Sequence, residues 1–496
     1  MRRAGILLHV TSLPGPQGCG TFGAEAHAWV TLLGQHGIGA WQVLPLAPVD
    51  GTGSPYSSPS GSALNPALLD HSSLAAEGWL GPDGSDLPQA LLIGWRQASS
   101  QQQQAFASWR QRQRPWLRDH CRFAVLKQLH GEQPWWQWPA DLARRQPAAL
   151  RQFEREHAEA LQAQALLQWH LQRQWQSLRQ QAKAAGVQLV GDLPFYVAHD
   201  SADVWSRPGL FAIGANGHLL QQSGVPPDYF SATGQLWGTP VYRWLNHWAT
   251  GFGWWIRRLL RQLELFDLLR LDHFRALQAF WSVPGDAPTA EHGRWKLSPG
   301  WPLLGGLWLA CLRRGLLLPG GRLPLIAEDL GVVTRGVEWL RDGFGLPGMK
   351  ILQFAFDGNA SNPYLPANTH GRHWVVYTGT HDNATTLGWW HQLDEGTRHQ
   401  VGEVLGSEVN APGWQLSELA LQSSADLTVV PLQDLLELGD EARFNTPGTT
   451  GGNWCWRLQQ PITSLAGTLQ GYGELAARSG RGVGSERGVD CGRGQR

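Results

Sequence analysis

LELFDLLRLDHFR, residues 263–275, is the stretch on which the fold turns. Its run of apolar residues is short and reads as a buried strand, yet it ends in a charged residue, Asp272. Two further stretches repeat the design. LPLIAEDLG (residues 323–331) ends its apolar run in Glu328, and HWVVYTGTHDN (residues 373–383) ends in Asp382. A carboxylate seldom closes a buried strand unless it is paired or put to use. Placed in one parallel barrel, the three acids meet at its C-terminal mouth, where barrel enzymes keep their chemistry. Converging carboxylates are the equipment for breaking glycosidic bonds.

Working outward from these three, eight apolar runs read as strands: 5–9, 41–46, 187–193, 265–271, 323–327, 349–356, 374–379 and 427–432. Helix-like stretches such as 24–34 and 334–344 lie between several of them. Alternation of this kind predicts an α/β fold, a (β/α)8 TIM barrel. An open doubly wound sheet is the alternative, but no Gly-rich dinucleotide fingerprint follows any strand. One catalytic barrel domain over 1–475 is expected, with insertions at about 71–186, 201–253 and 284–320. The first should be a helical subdomain. The second, rich in Gly, Pro and aromatics, should be a long loop over the strand ends. The Gly/Arg-rich tail, 476–496, reads as disordered.

With 40 basic and 40 acidic residues the formal charge is zero, so no nucleic-acid or acidic-lipid partner is implied. Five scattered cysteines without CxxC spacing suggest neither a disulfide framework nor a zinc site, and fit a reducing, cytoplasmic compartment. No run approaches the roughly 20 apolar residues of a membrane span. The opening MRRAGILLHVTSLPG reads as a first strand, its apolar run being too short for a signal peptide. Only Lys127, Lys183, Lys296 and Lys350 occur, and none ends a strand, which argues against Schiff-base chemistry. Tryptophan is abundant, at 28 of 496 residues. In adjacent pairs such as Trp254–Trp255 the rings should not all point inward, leaving some to line a sugar groove.

Co-linear motifs then narrow the reading: GILLHVTSLPG, WQVLPL, GSPYSSPSGSALNP, GDLPFYVAHDSADVW, PPDYFSATGQLWGTPVYRW, RLDHFRALQAFW, IAEDLG, GMKILQFAF, TGTHDNATT and RFNTPGTTGGNWCWR. From about Gly5 to Arg457 the chain resembles the amylomaltases, the 4-α-glucanotransferases or disproportionating enzymes of glycoside hydrolase family 77. The resemblance implies a retaining, two-step transfer of α-1,4-glucan segments between maltooligosaccharides or longer glucans, with no metal or organic cofactor. By motif position, Asp272 would be the nucleophile, Glu328 the general acid and base, and Asp382 the carboxylate that stabilises charge on the sugar. His381 would help hold the sugar at the cleavage point.

The residues themselves agree with that chemistry. A double displacement needs one ionised and one protonated carboxyl across the bond. Arg270 lies two residues before Asp272 and shares its strand face, so its guanidinium would keep Asp272 ionised. Asp192, ending the third strand, and Tyr56, in GSPYSS, are further candidates for sugar contact or support. Tyr229, Phe230, Gln235 and Trp237 could cover the mouth, stack on an acceptor and exclude water. Asp329 and Lys350 read as structural. Rivals are an α-amylase-like hydrolase on the same three carboxylates and a non-catalytic glucan-binding protein. The chain departs from the family pattern at Val10, Thr239, Ala384 and Phe444, none of them a proposed catalytic position.

Overall fold

The computed structural model describes residues 2–80, 86–227, 231–449 and 451–482. The described residues form twelve strands in chain order: β1 Arg3–Leu7, β2 Ala40–Gln42, β3 Gln188–Leu193, β4 Gln221–Val225, β5 Gln235–Pro240, β6 Leu268–Leu271, β7 Ala279–Pro284, β8 Arg294–Leu297, β9 Leu325–Ala327, β10 Gly348–Ile351, β11 Trp374–Tyr377 and β12 Leu427–Pro431. Eight of them form one parallel sheet in the order β10-β11-β12-β1-β2-β3-β6-β9. The Ala327 N–H donates to the Pro347 carbonyl at 2.9 Å and brings the two edges together, leaving a nearly closed barrel. All eight apolar runs overlap barrel strands; those at 5–9, 41–46, 349–356, 374–379 and 427–432 run past their strands toward the mouth, whereas 187–193, 265–271 and 323–327 begin before theirs.

The strands are apolar on both faces because side chains fill the barrel inside and helices cover it outside. Ile6, Leu189, Leu269, Leu325 and Val429 are fully buried. Packing is close where β3 passes the chain entering β6. A Cβ on Gly191 would lie 2.2 Å from the Phe266 ring, so only glycine fits immediately before Asp192.

Between β2 and β3 the described residues form six α-helices: His71–Ala76, Leu87–Gln97, Ser100–Leu129, Ala140–Ala143, Pro147–Glu156 and Ala158–Ala184. The Ser100–Leu129 helix starts with a reciprocal capping box between Ser99 and Gln102. The segment 201–253 is not the irregular loop expected. It contributes β4 and β5 to a second, antiparallel sheet ordered β5-β4-β7-β8, whose other strands follow Asp272 in sequence. β4 and β5 read QQSGV and QLWGTP. Neither alternates apolar with polar residues, so nothing local marked them as strands.

Two other expectations need correction. Trp254 and Trp255 are both buried, at 9% and 0% exposure. Trp255 packs inward beside Phe195, while Trp254 is covered from outside by Phe211 and Tyr242 of the 201–253 segment. The tail expected to be disordered from 476 is ordered through Gly482. A helix runs over Ala466–Arg478, and Arg481 is buried, donating to the carbonyls of Leu421 and Ser423 at 2.9 Å each. Carbonyl oxygens beneath the barrel replace the water that a Gly/Arg run would otherwise require. The rest of that tail, 483–496, lies outside the described residues.

Candidate active site

Strand register sets the site. Leu271 on β6 pairs with Ala327 on β9, so the residues that follow, Asp272 and Glu328, leave neighbouring strands side by side. On the other flank Asp192 on β3 pairs with Arg270. Asp382 follows β11 on the far side of the mouth.

Arg270 is the hub. It is buried, and its Nη1 donates to Asp192 Oδ1 at 2.9 Å and Oδ2 at 2.8 Å, and lies 3.0 Å from Asp272 Oδ1. Burial disfavours its charge, but Asp192, Asp272, Tyr56 and Glu328 outweigh it and hold the guanidinium firmly protonated. Asp192 is fully enclosed, and burial raises its carboxyl pKa against the pull of Arg270. It also accepts a hydrogen bond from the Tyr56 hydroxyl at 2.7 Å. Burial, reinforced by the Asp192 charge, holds Tyr56 well above the usual phenol range, so it stays a donor.

Immediately after Asp272, His273 adopts a left-handed backbone with φ of 50°, uncommon for a residue with a side chain. The turn aims its N–H at Glu328 Oε2, 2.7 Å away, while the Leu330 N–H reaches Oε1 at 3.1 Å. These two bonds and Arg270 favour the carboxylate, but burial, with the nearby Asp272 charge, wins and raises Glu328 to about 7. One acid beside a permanent cation and a neighbour poised near neutrality form a pair whose environments differ.

Asp382 is clasped from two sides. His381 Nε2 lies 3.2 Å from Oδ2, and the Asn445 amide donates to Oδ1 at 2.7 Å. Asp382 keeps 46% of its side chain exposed; desolvation by the surrounding mouth opposes ionisation, but the His381 charge and these two bonds outweigh it and hold Asp382 well below the usual carboxylate range. Reciprocally, Asp382 overcomes burial and raises His381 above its ordinary value. The Tyr56 ring stacks on His381 with centroids 5.0 Å apart, and Trp454 closes this aromatic wall at 5.7 Å from Tyr56.

The opposite wall comes from β5. Trp237, 36% exposed, meets His273 edge-on at 4.9 Å, and its indole N–H points to Gln235 Oε1 at 3.4 Å. Tyr196 flanks this pair, 5.9 Å from Trp237 and 6.3 Å from His273. Among the described residues neither Tyr196 Oη nor His273 Nε2 has a hydrogen-bond partner, although both atoms are buried. Burial lowers His273 to about 4, so its ring is neutral.

The structure therefore brings together Asp272, Glu328, Asp382, Arg270, His381, Asp192 and Tyr56, with Gln235 and Trp237 on the facing wall. Tyr229 and Phe230 lie outside the described residues. Asn445 and Trp454 were missed as site residues. Their motif, RFNTPGTTGGNWCWR, was visible, but an amide carries no signal of a carboxylate partner some sixty residues away, nor an indole of the Tyr56 and His381 rings it meets. Asp329 is held by Arg341 and by the Met349 N–H, away from this cluster.

Over residues 8–463 the chain matches the model of a family described as 4-alpha-glucanotransferase. The chain belongs to this family. As a member it is a 4-α-glucanotransferase enzyme. A 4-alpha-glucanotransferase from Thermus thermophilus is 45% identical over 484 residues, covering 92% of the chain and 95% of the relative. One from Synechocystis is 43% identical over 504 residues, covering 96% and 98%. Among solved structures, an amylomaltase from Streptococcus agalactiae in complex with acarbose is 31% identical, with a TM-score of 0.90, covering 97% of this chain and all of that one. An amylomaltase from Corynebacterium glutamicum, 19% identical with a TM-score of 0.76, shares the fold.

Proposed function

We propose that the protein transfers segments of 1,4-α-glucans to the 4-hydroxyl of an acceptor glucan or glucose by a retaining double displacement. Asp272 attacks the anomeric carbon and forms a covalent glycosyl-enzyme, while Glu328 gives its proton to the departing glycosidic oxygen. The acceptor hydroxyl then loses its proton to Glu328 and attacks the same carbon, releasing Asp272. Asp382, ionised in its clasp, stabilises positive charge on the sugar in both transition states. Arg270, His381, Asp192 and Tyr56 hold the sugar at the cleavage point, and Gln235 and Trp237, with Tyr229 and Phe230, receive the acceptor.

The observation that carries this reading is the contrast between neighbouring acids: Asp272 is 3.0 Å from Arg270, whereas burial lifts Glu328 to about 7. A nucleophile must be ionised and a general acid must still hold its proton near neutral pH. A cytoplasmic site of action belongs to the same reading. The four cysteines among the described residues are free thiols, and no helix there is long and apolar enough to cross a membrane.

Incubation of the purified protein with maltotriose alone tests the proposal. A ladder of longer maltooligosaccharides with glucose, and little gain in reducing ends, is expected. Shorter products only, with reducing ends rising, would contradict it.

A further inference from the structure

A groove with no part in the chemistry above opens between the Ser100–Leu129 helix and the helices Pro147–Glu156 and Ala158–Ala184. Its volume is about 840 Å³, within the range of small-molecule sites. Phe106, Leu117, Leu161 and Ala165 make an apolar floor, and Trp95 forms a wall. Along one side stand Arg110, Arg114, Arg118 and Arg122, each four residues from the next and so neighbours on one helix face.

The charges in this groove do not balance. Arg118 and Arg122 converge on Glu154, and Arg122 shares Asp119 with Arg145, so three arginines divide two carboxylates. Arg110 and Arg114 have neither an ion pair nor a side-chain hydrogen bond among the described residues, and both are exposed. Burial raises the Cys121 thiol at the floor to about 12, so it adds no negative charge. Like charges four apart on a helix repel, and no carboxylate among the described residues pairs with either of these two.

We propose that the groove binds a sugar carrying a phosphate monoester, with the phosphate on Arg110 and Arg114 and one face of the sugar ring against Trp95 and the apolar floor. Two guanidinium forks one turn apart suit a group with three acceptor oxygens and nearly two negative charges. A carboxylate fills one fork and leaves the second unpaired, and a neutral glucan leaves both. The apolar floor gives bare inorganic phosphate little to rest on. Two sources share this chemistry: a free hexose phosphate, or a phosphate ester carried on a longer glucan.

Calorimetric titration of the full-length protein at low salt tests the site, with glucose 1-phosphate, a phosphorylated maltooligosaccharide, inorganic phosphate and maltotriose as separate probes. The wild type should bind at least one phosphorylated sugar more tightly than inorganic phosphate. The R110A/R114A double variant should bind it about tenfold or more weakly, since each lost charge-assisted bond is strong. The R110Q/R114Q variant should behave alike, and both should keep wild-type transfer from maltotriose. Tighter binding of glucose 1-phosphate would assign the groove to a free hexose phosphate, and tighter binding of the longer probe to a phosphorylated glucan. Undiminished affinity in both double variants would overturn the proposal, as would failure of either phosphorylated sugar to bind. Inorganic phosphate binding as tightly as the sugars would also overturn it.

Discussion

The two walls of the mouth are held in opposite ways. On the Asp382 side the carboxylates are partnered: Asp192 accepts from Arg270 and Tyr56, and Asp382 accepts from His381 and Asn445. On the Trp237 side the indole is partly exposed, and among the described residues the buried Tyr196 Oη and His273 Nε2 have no hydrogen-bond partner. A satisfied network fixes charge before the substrate arrives, which is what transition-state stabilisation requires. Buried groups with unmet hydrogen-bonding capacity are costly unless something else fills the role. Under the proposed function the first wall would hold the sugar that is cleaved, and the second one that comes and goes.

Breaking the first wall should cost most. Replacing the proposed nucleophile, Asp272→Asn, should lower transfer and any side hydrolysis by roughly four orders of magnitude or more, measured as product formation from maltotriose. Glu328→Gln should lower the rate by about 10²–10⁴-fold. With Glu328 raised to about 7, the acid form is lost as pH rises through neutrality, so the wild-type rate should fall on the alkaline side. The variant should lack that limb when assayed with a donor whose leaving group needs no protonation.

A smaller effect is expected from Tyr56→Phe, which removes one hydrogen bond from a buried carboxylate that Arg270 still pairs. The loss should be about 1–3 kcal/mol in kcat/KM with little change in melting temperature. The second wall should respond in kind rather than in extent. Trp237→Ala should leave the first half-reaction largely intact and shift products from longer oligosaccharides toward hydrolysis, read from the ratio of new reducing ends to transfer products.

Outside both walls, Asp434 is fully buried and accepts from Thr378 Oγ1, Thr386 Oγ1 and the Thr386 N–H. Burial outweighs those bonds and raises its carboxyl to about 6. Asp434→Ala strands these donors and should lower stability by about 1–3 kcal/mol, measured by denaturant unfolding.

Much of the barrel was legible because a parallel strand buried on both faces must be apolar throughout, and a charge at its end stands out. Asp272, Glu328 and Asp382 were readable for that reason, and Arg270 from its two-residue offset on the strand. The second sheet was not readable, because β4 and β5 are short, partly exposed and carry Gly, Gln and Pro. The Tyr56–Asp192 bond joins residues far apart in the chain, and only register brings them together. Arg481 was hidden because a buried arginine is paired by backbone carbonyls, which every sequence possesses.

The central claim is that Asp272 carries the sugar between the two half-reactions. The direct test is to supply the Glu328→Gln variant with a maltosyl fluoride donor, whose departure needs no acid, and to map the trapped adduct by peptide mass spectrometry. A glycosyl adduct on the peptide containing Asp272, absent when Asp272→Asn is added, is the predicted result. An adduct on another carboxylate, or none alongside products of inverted anomeric configuration, would contradict the account.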